Sequence, residues 1–256
     1  MKETRMLMGM PVTIEIADRD PNPEHVEKAF SYFEYVDKKF STYKPESEIS
    51  RINRGELPQW DAWSADMRLV LELSEETKRM TAGYFDIVRA DGTRDPSGLV
   101  KGWAIRNAAN LLISLGCRNF YVDAGGDIQV HGTNGKGMPW HVGIRNPFST
   151  REVIKTVTLG NDEGVATSGT YERGAHIYNP KEEKKTVTEI MSLTVIGPNV
   201  YEADRFATAA FAMGERGIAF VEGLPGFEGY MVDRSGRATM TKHFENYVQT
   251  HIAVHR

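Results

Sequence analysis

Phe120-Tyr-Val-Asp-Ala-Gly-Gly-Asp-Ile-Gln-Val-His131 carries two short apolar runs, over 120–123 and 128–131, separated by paired glycines. Such a pair permits a tight reversal of the chain, or equally the close approach of a ligand to the backbone. A third run over 141–145 follows an Asn134-Gly135 pair, a hairpin signal that would join it to 128–131. Upstream, Ile105, Ala108, Leu112 and Leu115 recur at helical spacing over 100–115, with Gly116 as terminator. Downstream, strands over 153–159, 164–168 and 193–196 precede a helix over 200–213. Helices and strands are interspersed without strict alternation, and adjacent strands look like hairpins. The pattern predicts an α+β fold with antiparallel or mixed sheets flanked by helices, rather than a doubly wound parallel sheet.

The N-terminal third fits that frame. Met8, Met10, Val12, Ile14 and Ile16 alternate along one strand. Asn22 and Pro23 then open a helix with Val26, Phe30, Phe33 and Val36 on its inner face, ending near Phe40. A loop around Pro45 leads to a second helix, which starts at Ser64, carries Met67, Val70, Leu71 and Met80, and stops at Gly83. From Gly226 onward short strands return, with a turn over 233–236. No linker, composition break or repeat divides the chain, so residues 1–256 read as a single domain of one or two lobes.

Composition narrows the function classes. A net charge of -4 gives no general basic surplus for nucleic acid or an acidic membrane. The lone cysteine, Cys117, rules out an intrachain disulfide or a cysteine-based zinc site, and its place between helix and strand predicts packing rather than chemistry. No apolar stretch has the length of a membrane span. The N-terminus lacks the apolar core and cleavage site of a signal peptide, which reads as cytoplasmic. An exported lipoprotein stripped of its leader would read the same way.

Chemistry-bearing residues gather in four places. Asp204 and Thr208, four apart on a helix, share a face and offer hard oxygens suited to magnesium; a solvated Asp beside a helical Thr is the plainer reading. Asp95-Pro-Ser-Gly-Leu-Val-Lys101-Gly102 stands before a helix, where backbone N–H groups and a lysine attract phosphate, or where a helix is simply capped. Gly125-Gly126-Asp127 ends a strand. Ser168, with Thr167 and Gly169, precedes His176, a possible general base or a structural histidine; no Gly-x-Ser-x-Gly elbow surrounds Ser168.

Taken in order, these segments resemble the successive signatures of the ApbE family of FAD:protein FMN transferases. Met8-Gly9 is similar to its entry motif, and Phe40-Ser-Thr-Tyr43-Lys-Pro-Glu-Ser47-Glu-Ile-Ser-Arg51-Ile-Asn53 matches its loop almost residue for residue. Gly83-Tyr84-Phe85-Asp86, Asp95 to Gly102, Gly125-Gly126-Asp127, Trp140 to Pro147, Thr167-Ser168-Gly169, His176 to Pro180 and Ala203-Asp204 to Thr208 follow in the family's order. Only eight residues separate Asp86 from Asp95, where many members carry a long insertion, and Asn179-Pro180-Lys-Glu-Glu-Lys departs from the usual Asp-Pro segment. Both departures concern the rim of the pocket and the choice of target.

The resemblance implies a compact, T-fold-like domain that moves FMN from FAD onto a threonine of an acceptor flavoprotein, releasing AMP. It implies magnesium held by Asp204, Thr208 and backbone carbonyls at Gly98 and Ala166. FAD would be bound by Met8, Tyr43, Tyr84, Phe85, Asp86, Asp95, Lys101, Gly125, Gly126, Ser168, His176 and Ile177. His176, Asp204 and Tyr43 are the implied catalytic residues, with His176 as base. FAD hydrolysis to FMN and AMP, or FAD binding without catalysis, are the alternatives. A monomer and a homodimer are both compatible with the sequence.

Overall fold

The computed structural model describes residues 1–170, 178–181 and 185–249. The segment around the paired glycines forms β3 (Phe120–Ala124) and β4 (Asp127–His131), an antiparallel hairpin in which Val122 faces Gln129. It lies inside an eight-stranded sheet. Its other strands are β1 (Lys2–Leu7), β2 (Met10–Ile16), β7 (Gly164–Gly169), β10 (Ile190–Gly197), β11 (Glu228–Asp233) and β12 (Ala238–Met240), in the order β1-β2-β3-β4-β7-β10-β11-β12. Every pairing is antiparallel. The seam between β4 and β7 is the briefest, pairing only Ile128 with Val165 and Gln129 with Gly164.

Two departures from the sequence reading occur here. Met8 belongs to a turn, with φ of +52° and Gly9 at +74°, so the alternating strand begins at Met10 and pairs with a preceding strand, β1. The Asn134-Gly135 pair does not join β4 to its successor. Residues β5 (Trp140–Asn146) and β6 (Ser149–Leu159) pair with each other in a separate two-stranded sheet. Asn134 instead closes a local turn, its side chain accepting from the Lys136 and Met138 N–H groups.

Alternation along the strands sends successive side chains to opposite faces. On β7, Val165 packs with the β5–β6 hairpin, whereas Ala166 packs with helices. The helical face carries α1 (Pro23–Phe40), α2 (Glu48–Asn53), α3 (Ala65–Met80), α4 (Ser97–Ser114), α5 (Val200–Ala212) and α6 (Gly217–Glu222). Caps explain two of these boundaries: Asn22 accepts from the Glu24 N–H, and Ser64 from the Met67 N–H. Helix α4 starts at Ser97, three residues before its apolar pattern, so Gly98 and Lys101 lie inside it. Its axis is nearly surrounded, with Leu99, Trp103, Ile105, Ala108 and Leu112 buried. Cys117 is buried, as expected. Two-residue strands β8 (Tyr178–Asn179) and β9 (Lys185–Thr186) complete the elements.

Candidate active site

Helices α4 and α5 cross at a point where no side chain fits between them. A Cβ added to Gly102 would lie 2.6 Å from the Asp204 Cβ and 2.9 Å from the Val200 carbonyl oxygen. This approach lets the Gly102 N–H donate to Asp204 Oδ2 at 2.7 Å. One turn along α5, Thr208 Oγ1 donates to the Gly98 carbonyl at 3.3 Å. Helical periodicity thus places Asp204 and Thr208 on the face that meets the first turns of α4.

Asp204 is 2% exposed and keeps few partners for a carboxylate. Burial pushes its pKa up to about 7, against the opposing pull of Lys101 and with a further push from Asp127. Lys101 Nζ lies 2.5 Å from Asp127 Oδ2 and 3.6 Å from Asp204 Oδ1, so one ammonium stands between two carboxylates. Asp127, at the start of β4, also accepts the Thr167 N–H through Oδ1 at 3.0 Å.

A cleft of about 240 Å³ opens above this group. Its lining gathers Tyr43, Tyr84, Phe85, Asp86, Asp95, Gly98, Lys101, Ser168, Asp204 and Thr208, all expected from the sequence. An adjoining recess adds Met8 beside Tyr43, Asp95 and Lys101. Tyr43 is 92% exposed, a ring presented to solvent at the cleft mouth. Asp95 turns back to accept the Ser97 N–H and pairs with Arg89, while Asp86 accepts the Val88 N–H and pairs with Lys78. Arg216 donates to the Tyr84 hydroxyl at 2.8 Å, fixing that ring.

Other expected residues fall elsewhere. Gly125 and Gly126 border a second cavity of about 440 Å³, between the large sheet and the β5–β6 hairpin. Thr167 borders both spaces. Ala166 is buried on β7 beside it. His176 and Ile177 lie outside the described residues. In the sequence Asp127 has no role beyond its motif and Arg89 is not singled out; strand register, rather than any local spacing, brings Asp127 to Lys101.

A carboxylate, a hydroxyl and a main-chain carbonyl make an all-oxygen donor set, which suits a hard divalent cation such as magnesium. Among the described residues no three His, Cys, Asp or Glu side chains cluster as a self-sufficient metal site. A cation here would therefore share its coordination with a ligand.

The sequence profile of the ApbE family matches residues 8–94 and 89–231. The chain belongs to the ApbE family. An FAD:protein FMN transferase of Vibrio cholerae is 33% identical over 137 residues, which cover 50% of this chain and 41% of that protein. A Haemophilus influenzae protein of the same name is 28% identical over 200 residues, 73% of this chain and 55% of that one. The chain spans about half the length of the curated relatives it matches. Among solved structures, the flavin transferase ApbE from Vibrio cholerae superposes with a TM-score of 0.84 at 22% identity, covering 96% of this chain and 98% of that one. The ApbE protein from Thermotoga maritima gives 0.86 at 21% identity, over 98% and 99%. These likenesses establish the α+β fold of the ApbE proteins for this chain. Among the described residues, no helix is long and apolar enough to cross a membrane.

Proposed function

We propose that this chain is an FAD:protein FMN transferase, working as a single domain. The observation that carries the reading is the convergence of Asp204, Thr208, Gly98 and Lys101 at the base of a cleft whose mouth presents Tyr43 and Tyr84. The exposed Tyr43 ring and the half-buried Tyr84 ring offer stacking surfaces for planar groups. The buried oxygens and lysine at the base suit a pyrophosphate and its cation. The names of the relatives point the same way.

In this reading Asp204 and Thr208 would hold magnesium, with the Gly98 and Ala166 carbonyls as further donors. The metal would neutralise charge that develops on the pyrophosphate during transfer. Lys101, beside Asp204, would offset phosphate charge. Tyr43, Met8 and the Tyr84-Phe85-Asp86 segment orient the dinucleotide. A threonine hydroxyl of an acceptor flavoprotein attacks the FMN phosphorus, the bond to the AMP oxygen breaks, and AMP leaves. His176 is the proposed base that takes the hydroxyl proton.

The test is to incubate the protein with FAD, magnesium and an acceptor domain carrying a candidate threonine, then weigh the acceptor intact. A gain of one FMN that disappears on chelation supports the reading. AMP and FMN in solution with an unmodified acceptor make the protein a hydrolase instead. Intact FAD across a panel of acceptors refutes both.

A further inference from the structure

We propose that Asp127 is a positioning residue for Lys101, a group that keeps its ammonium in place when a divalent cation sits on Asp204. For its catalytic consequence this inference rests on the transfer reading above.

Three observations support it. Asp127 is 1% exposed, and its Oδ1 is oriented by the Thr167 N–H at 3.0 Å. Its Oδ2 is buried and lies 2.5 Å from the Lys101 ammonium. The distance from Lys101 to Asp204 is 3.6 Å, beyond ordinary hydrogen-bonding range, so the lysine belongs first to Asp127.

The charges explain why this matters. Without a cation one ammonium is shared between the Asp127 and Asp204 carboxyl groups, and Lys101 lies close to both. A divalent cation on Asp204 reverses that carboxylate's effective charge and repels the ammonium beside it. The attraction of Asp127 then opposes the displacement of Lys101 into the cleft or away from it. Asp127 also adds a second negative charge within reach of the cation, which favours its binding. The Gly125-Gly126 turn and the β4–β7 seam deliver this carboxylate to the helical face, where alternation along β4 points it at α4.

Asp127→Asn keeps the size and the acceptor for the Thr167 N–H but removes the charge. Binding of Mn²⁺ to the FAD-free protein, read by electron paramagnetic resonance, should weaken about 10-fold, a hydrogen-bonded charge being worth that much or more. Turnover should fall about 10- to 100-fold, with the KM for FAD changing less than about 3-fold. Once Lys101→Met has removed the ammonium, adding Asp127→Asn should lower kcat no further, because the two residues act as a unit. Unchanged Mn²⁺ binding in Asp127→Asn, or multiplying penalties in the double variant, would overturn the proposal. Should the single variant not fold, the comparison of the double variant with Lys101→Met still decides, since removing both members of a buried pair is generally tolerated. A wild-type protein that neither transfers nor cleaves would sink the transfer reading, and the Mn²⁺ measurement would still judge the clamp.

Discussion

Gly102→Ala tests the helix crossing on which the candidate site depends. The added methyl would stand 2.6 Å from the Asp204 Cβ and 3.0 Å from its Oδ2. Carbon atoms pack at about 3.5–4.0 Å, so α5 must retreat by about 1 Å to admit it. Overpacking of this kind costs about 1–3 kcal/mol. Replacing glycine by alanine inside a helix returns about 1 kcal/mol. The net loss is then about 0–2 kcal/mol, which lowers the melting temperature of a protein this size by at most about 8 °C. The site should suffer far more than the fold. A displacement of about 1 Å at a reacting centre costs on the order of 100-fold in rate. It would also lengthen the Gly102 N–H bond to Asp204, now 2.7 Å. Thermal denaturation, Mn²⁺ titration and FMN transfer on the same preparation separate these effects. A folded variant with wild-type cation affinity and turnover would refute the claim that this glycine sets the position of Asp204.

Further expectations concern proton balance, the cleft mouth and the seam. The raised pKa of Asp204, about 7, means the folded cation-free protein binds a proton that the unfolded chain has released. Its stability should therefore fall as pH rises from about 4 to about 7 and level off above; urea denaturation should show a shallower slope for Asp204→Asn, and an equal slope would refute the assignment. Tyr43→Ala should leave the melting temperature within about 1–2 °C of wild type, because an exposed side chain contributes little to stability. It should weaken FAD binding measurably by flavin fluorescence, and unchanged affinity would remove Tyr43 from the cleft's function. Gln129 accepts the Val200 N–H at 2.9 Å and donates to the Asp162 carbonyl at 2.6 Å. Gln129→Leu strands the buried Val200 N–H and takes a partner from the part-buried Asp162 carbonyl, and should cost about 1–3 kcal/mol; a loss under about 0.5 kcal/mol would show the bonds are dispensable.

Local chemistry was legible in the sequence where a single residue sets a boundary, as Asn22 and Ser64 do for α1 and α3. The spacing of Asp204 and Thr208 was legible for the same reason, since a helix converts an interval of four into a shared face. Strand β1 escaped notice because Lys2-Glu-Thr-Arg5 has no apolar face of its own, and its register comes from β2. Helix α2 escaped because six residues give too little periodicity, although Ser47 caps it. The Asn134-Gly135 pair misplaces the run over 141–145 beside 128–131, because a turn signal specifies a local reversal and says nothing of which sheet the next strand enters. Asp127 stands in a legible motif, but its role is not legible, for its partner is supplied by sheet pairing and not by sequence distance.

The short β4–β7 seam also has a mechanical meaning. Within the sheet only two residue pairs join β4 to β7, so the β1–β4 and β7–β12 blocks share their fewest rungs along this line. Lys101 and Asp127 belong to one side, while Asp204 and Thr167 belong to the other. Any ligand seated across them acts as a suture. Amides on either side of the line should then exchange with deuterium together and relatively early in the empty protein. Loading the cleft should slow both margins at once, so that occupancy is read as the closing of a crease in the sheet.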